Sequence, residues 1–194
     1  MSSVGNIHHF FVNSSVNIYQ GLIIDGYIPN AFGLVDLDIS QNSIRTLIIR
    51  NTPCLKTLNV SNNKLTEIDL STINSNWRVI GVPGNFLTIL NVTSSQGAES
   101  NRENATLDCS GNQLTFLKLK DDNWSNIINL NCRSNSLTTL QVNTILSHLS
   151  TNGLNGGIVD LSNQTPAAPP TTGPPDGIGA VTTLTGNGWS VTTD

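Results

Sequence analysis

An apolar frame recurs along the middle of the chain, and each copy carries an asparagine at the same place. The first copy is Leu34-x-x-Leu37-x-Ile39-x-x-Asn42-x-Ile44-x-x-Leu47, the second Leu55-x-x-Leu58-x-Val60-x-x-Asn63-x-Leu65-x-x-Ile68. The third is Trp77-x-x-Ile80-x-Val82-x-x-Asn85-x-Leu87-x-x-Leu90. The fourth, Leu107-x-Cys109-x-x-Asn112-x-Leu114-x-x-Leu117, has Asn104 where its opening leucine belongs. The fifth is Ile127-x-x-Leu130-x-Cys132-x-x-Asn135-x-Leu137-x-x-Leu140. Leu37 and Ile39 alternate with Asp36, Asp38 and Ser40, and the same alternation returns in later copies. That two-residue period predicts one short strand per copy, with strands stacked in parallel about 4.8 Å apart.

Successive asparagines stand 21, 22, 27 and 23 residues apart, which suits a solenoid in which no single unit can bury its own apolar row. Asn42, Asn63, Asn85, Asn112 and Asn135 follow each strand, where the chain must turn inward. An amide both donates and accepts, so these five are expected to satisfy backbone groups at the turn and to bond one coil to the next. A second apolar pair, Leu47/Ile49, Ile68/Leu70, Leu90/Val92, Leu117/Leu119 and Leu140/Val142, predicts an extended back to every coil. The fold class expected is a mainly β solenoid of about five to six coils with a small α/β cap at its C-terminal end.

Three units follow from the pattern. Residues 34–141 form the solenoid. In residues 142–194 the spacing changes: Val142, Ile145, Leu146 and Leu149 predict a helix over 142–151, and Ile158 to Ser162 a sixth strand with Gln164 in the asparagine slot. A loop over 165–177, a short helix over 178–184 and a last strand from Trp189 complete this cap, with Trp189 in its core. Residues 1–33 cap the other end or dock on another chain, and Val16-x-Ile18-x-x-Gly21-x-Ile23 echoes the frame as a degenerate first coil over 16–33. Phe10, Phe11 and Val12 form an apolar cluster there.

Composition narrows the function. Only 11% of residues are charged and the net charge is −4, so no basic stripe offers to neutralise phosphates and nucleic acid is not an expected partner. No apolar run approaches a membrane span, and the opening residues lack the basic and apolar regions of a Sec-type signal peptide. Of three cysteines, Cys109 and Cys132 occupy one apolar slot in adjacent strands. Reduced core thiols are the expectation, although the spacing just permits a bridge. Cys54 falls at a coil corner, and no zinc motif is present.

The outward column reads Asp38, Asn59, Gly81, Asp108, Asn131, Asp160. Asp108 and Asp160 would stand about 10 Å apart, near the upper limit for an inverting carboxylate pair. A flat strand face gives little desolvation to tune one of them as an acid, so no catalytic residue, metal or cofactor is assigned. Candidate contacts lie elsewhere: Phe10, Phe11 and Val12; Arg102 and Glu103 in the polar surplus of residues 93–104; Trp124 beside Asp121 and Asp122; and Arg133 on the strand face.

The residues Leu107-Asp-Cys-Ser-Gly-Asn-Gln-Leu-Thr resemble the repeats of bacterial and phage leucine-rich-repeat proteins. The tail, with Val159-Asp-Leu-Ser-Asn-Gln-Thr-Pro and Gly188-Trp-Ser-Val-Thr-Thr-Asp, resembles the C-terminal unit of such proteins, a unit also present in predicted phage tail and virion proteins. The resemblance implies a non-enzymatic structural or adhesive protein of an extracellular assembly, most readily a phage virion (head decoration, tail or fibre), whose partners are other protein subunits. The alternative is a bacterial surface or secreted adhesin that binds a host receptor protein or glycan. A polysaccharide-degrading enzyme using the aspartate column is the third reading. A virion or the extracellular surface is the expected location.

Overall fold

The computed structural model describes residues 15–17, 25–29, 34–50, 52–70, 77–92, 104–119 and 126–194. Thirteen strands and two helices lie in them. In chain order the strands are β1 (Ser15–Asn17), β2 (Asp25–Pro29), β3 (Asp36–Asp38), β4 (Thr46–Arg50), β5 (Thr57–Asn59), β6 (Glu67–Asp69), β7 (Val79–Gly81), β8 (Ile89–Val92), β9 (Ala105–Asp108), β10 (Phe116–Leu119), β11 (Ile127–Asn131), β12 (Ile158–Asp160) and β13 (Ser190–Thr192). The helices are α1 (Thr139–Ser150) and α2 (Gly177–Gly186).

The predicted strands stack as one eight-stranded parallel sheet in the order β1-β3-β5-β7-β9-β11-β12-β13. Behind it lie a three-stranded sheet, β2-β4-β6, and a separate pair, β8-β10. The molecule is therefore a mainly β solenoid of parallel strands with two helices. It departs from the uniform coils expected: both faces are continuously paired for about three turns, marked by β2, β4 and β6. The back then resumes as a two-stranded stretch and ends in helices. Val16, the first residue of the faint echo, pairs in register with Leu37 on the front sheet, and the echo's Ile18, Gly21 and Ile23 lie outside the described residues.

The apolar frame fills the space between the faces. Leu37, Leu58, Ile80, Leu107, Leu130 and Val159 are buried in one column, and Ile39, Val60, Val82, Cys109, Cys132 and Leu161 in the next. In the fourth copy, Asn104 does not enter the core; Ala105 fills the opening slot instead. The register explains this. Ile127 pairs with Ala105 and Asn129 with Thr106, so β11 holds one extra residue and bulges.

The asparagine ladder links each turn to the one before. Asn112 donates from Nδ2 to the carbonyl oxygens of Val82, one turn back, and Cys109, in its own turn, both at 3.0 Å. Its Oδ1 accepts from the Leu87 N–H at 3.0 Å. Asn63, Asn85 and Asn135 repeat this arrangement. Gln164 does so with its longer side chain, donating to the carbonyls of Cys132 and Leu161 and accepting from the Leu137 N–H. Asn42, at the first copy, donates to the carbonyls of Ile39 and Ser40.

A regularity that the apolar pattern does not show precedes every rung. Gln41, Asn62, Gly84, Gly111, Ser134 and Asn163 all have φ between 54° and 66°. Each turn passes through the left-handed region at the residue before the amide, which swings the next side chain inward. Glycine or asparagine meets this demand at four of the six positions.

The fifth copy changes its back. Thr138 caps α1 by accepting from the Gln141 N–H, and the helix starts three residues before the expected point. Val142, Ile145, Leu146 and Leu149 are buried as predicted by their spacing, but Leu140 is 58% exposed. The inward pair Leu140/Val142 is thus corrected, because helical rotation separates two residues that strand alternation would have kept on one side. Val159 in β12 and Leu161 just after it are buried, and Trp189 lies buried in the cap with its indole N–H on the Leu154 carbonyl.

The ladder sets a stability expectation. Asn112→Ala leaves two buried carbonyls and one buried N–H without this partner, and desolvated groups of this kind cost about 1–3 kcal/mol each. Urea denaturation should show a loss of at least about 3 kcal/mol, against about 0.5 kcal/mol or less for the exposed neighbour change Gln113→Ala. Equal losses would remove the ladder from its structural role.

Candidate functional site

Two surfaces stand out, one on the eight-stranded front face and one on the back. On the front, the outward column predicted from the sequence is assembled: Asp36, Asp38, Thr57, Asn59, Val79, Gly81, Thr106 and Asp108 follow the strand register. These acids and amides are tied to the backbone. Asp38 Oδ1 accepts from the Ser40 N–H at 2.9 Å, and Asn59 Oδ1 from the Ser61 N–H at 3.1 Å. Asp108 and Asp160 each accept from the N–H and the hydroxyl of the serine two residues on. Each side chain closes the turn that ends its strand. Sequence reasoning treated them as solvated aspartates and missed this role, although the repeated Asp-x-Ser spacing carried the signal.

Gly81 interrupts the column. With no side chain between Asn59 and Asp108, the face dips into a cavity of about 650 Å³ lined by Asp38, Asn59, Val79, Pro83 and Asp108, among others. A methyl group on Gly81 would meet Asn59 Oδ1 at 3.7 Å, an ordinary contact, so packing leaves room for a larger residue. Asp38 edges the depression and also accepts from Asn59 Nδ2 at 2.9 Å. Burial alone would raise its pKa, but hydrogen bonds from the Ser40 N–H and hydroxyl and from Asn59 outweigh it and hold the carboxyl below its ordinary value. Arg133 is exposed on the same face, at the end of β11.

The carboxylates of Asp108 and Asp160 lie on β9 and β12, with β11 between them. Two strand spacings separate them by about 10 Å, and each is already engaged by a serine. The arrangement offers two turn-closing acceptors on an open face. Among the described residues, no group of three or more His, Cys, Asp or Glu side chains could hold a metal ion, and no helix is long and apolar enough to cross a membrane.

The back surface was not foreseen. Ile89 on β8 and Phe116 on β10 are register partners, so they stand side by side, 52% and 38% exposed. Phe86 lies exposed three residues before Ile89, and exposed Leu140 opens the helix that takes the back of the following turn. At the position four residues after the ladder asparagine, the column reads Thr46, Glu67, Ile89, Phe116. The change from polar to large apolar was present in the sequence. The inward period that marks the core places no constraint on these outward positions, so it does not single them out.

Phe10, Phe11, Val12, Arg102, Glu103 and Trp124 lie outside the described residues. The five ladder asparagines face into the turns, hydrogen-bonded to backbone. In comparisons with known proteins, no family model, curated protein or solved structure matches the chain.

Asp38 gives the front face a pH signature. A carboxyl whose folded pKa is lowered contributes stability above its unfolded value, and that contribution is lost as pH falls through the folded one. Between about pH 5 and about pH 2 the parent should lose more of its thermal stability than Asp38→Asn, which keeps the turn bond to Ser40 without the charge. Parallel melting curves across that range, with equal losses in the two chains, would contradict the hydrogen-bonded carboxylate as the cause.

Proposed function

We propose that the protein is a non-enzymatic interaction module, a structural or adhesive component of an extracellular assembly that binds other protein subunits through its back surface. The observation that carries the proposal is the exposed pair of register partners Ile89 and Phe116, with Phe86 exposed in the same turn as Ile89 and Leu140 in the turn after Phe116. Single exposed apolar residues are ordinary, but neighbouring ones in register mark surfaces that another protein covers. The corresponding positions of the preceding turns are Thr46 and Glu67, so the apolar character is local. Large aromatic and aliphatic side chains on a rigid sheet also suit a binding hot spot, because little conformational entropy is lost on docking.

The leucine-rich-repeat assignment, with five to six repeats, is proposed on the frame and its asparagines. A phage virion is the setting favoured by the resemblance of the repeats and of residues 159–169 and 188–194 to bacterial and phage repeat proteins. In that setting the solenoid is a rigid spacer whose outer strands and loops can vary without disturbing the ladder.

The test is incorporation. The double variant Ile89→Asp, Phe116→Asp should fold with an unchanged circular dichroism spectrum, since both side chains are partly exposed. Loss of one hot spot costs about 2 kcal/mol, roughly thirtyfold in affinity. In a density gradient of particles from the native source, the parent chain should travel with the particles and the variant should stay behind. A variant that travels with the particles like the parent would refute the proposal.

A second reading is favoured by the depression at Gly81: a surface adhesin that holds a host glycan on the front face. Pre-oriented carboxylate and amide groups beside the apolar Val79 and Pro83 suit sugar hydroxyls and the apolar side of a pyranose ring. Gly81→Phe, which fills the depression, should abolish retention on a panel of immobilised glycans that the parent binds. Unchanged retention would dispose of this reading and leave the first untouched.

A further inference from the structure

One buried pair of nucleophilic groups has no part in either surface. Cys109 and Cys132 are fully buried, and their Sγ atoms lie 3.0 Å apart. They follow β9 and β11, where Leu107 pairs with Leu130 and Asp108 with Asn131, so the two cysteines are the next partners in register. Neighbouring parallel strands keep such partners about 4.8 Å apart at Cα, inside the span that a disulfide bridges. In this column the other turns place Ile39, Val60, Val82 and Leu161. Any small apolar residue would pack there, but only two cysteines in consecutive turns can also be joined.

We propose that Cys109 and Cys132 are a covalent modification site: a disulfide that staples two consecutive turns of the solenoid when the chain folds in an oxidising compartment. The oxidant is a small dialkyl disulfide of the oxidised-glutathione class. The thiolate of one cysteine attacks a sulfur of that disulfide and forms a mixed disulfide, expelling one small thiolate. The second cysteine then attacks the protein sulfur and expels the other. Two protein thiols and one small disulfide become one protein disulfide and two small thiols, with each cysteine proton passing to a departing thiolate.

Burial determines when this happens. Both thiols are closed off in the folded stack, and burial, with the neighbouring Cys109 thiol, pushes the Cys132 pKa well above its ordinary value. In the folded protein Cys132 is therefore a poor nucleophile, and neither buried thiol offers a route for the reagent. Exchange takes place before the two turns close on each other, and closure then protects the product. The state of the pair records the redox condition under which the chain folded, and a protein folded among reducing thiols carries the reduced pair outward with it.

The experiment uses the full chain with Cys54→Ser, which removes the exposed third cysteine. The chain is unfolded, reduced, and refolded in a glutathione buffer poised on the oxidised side, then denatured, alkylated and weighed intact. The expected product is a monomer lighter by two hydrogens, without alkylation, whose digest contains the peptides of Cys109 and Cys132 joined. Its urea midpoint should lie above that of the same chain refolded with reductant. Two alkylated cysteines after oxidative refolding, or glutathione adducts without an internal bridge, would overturn the proposal.

Discussion

The rest of the structure depends on one interaction: a buried amide that bonds to its own turn and to the turn before it. A parallel stack leaves backbone groups stranded wherever the chain bends inward, because the strand ladder stops there and water does not reach. Asn63, Asn85, Asn112, Asn135 and Gln164 each take two carbonyls and one N–H of this kind. Since every rung spans two turns, the rungs hold the stack in register. Fixed register turns sequence positions into columns, and the columns are the surfaces that function can use. The depression at Gly81, the apolar row at Ile89 and Phe116, and the cysteine contact are all properties of columns.

Much of this was legible in the sequence because the core obeys a period. The inward residues of the front strands, the rung asparagines, Gln164 as a substitute rung and the burial of Trp189 all follow from spacing and from what an amide can bond. What escaped has physical reasons. The left-handed residue before each rung is Gln41 in one turn and Gly111 in another, so a backbone requirement was hidden under different side chains. Asn104 seemed to stand in a core slot because a bulge in β11 moves the register by one, and no apolar pattern displays a bulge. Leu140 changed sides because a cap at Thr138 starts a helix where strand alternation was expected to continue.

The surfaces were less legible than the core, and the cause is general. Burial selects strongly for apolar character at fixed intervals, whereas the outward positions answer to local needs. Asp38, Asp108 and Asp160 look like free carboxylates in a list of outward residues, but each closes a turn through the serine two positions on or its backbone. Once these are counted as structural, the departures from the column become informative: a glycine where an acid or amide is usual, and isoleucine and phenylalanine where threonine and glutamate stand in earlier turns.

The C-terminal end shows where such departures do not lead. An open stack needs its last rung satisfied, and here the Asp194 side chain does this by accepting from the N–H groups of Gln164 and Ala168. Asn143 pins the preceding loop to α1 through both the N–H and the hydroxyl of Thr171. Trp189 lies over Gly157, where a Cβ would come within 2.5 Å of its ring, so the cap closes on a glycine that no other residue can replace without displacing the indole. A tryptophan near a chain end invites a reading as a binding platform, yet this one is 4% exposed and its N–H is bonded inside the cap. The cap thus encloses the aromatic group that a partner at this end would seek. The stack is satisfied there, whereas on the back sheet the register partners Ile89 and Phe116 keep apolar surface in the open.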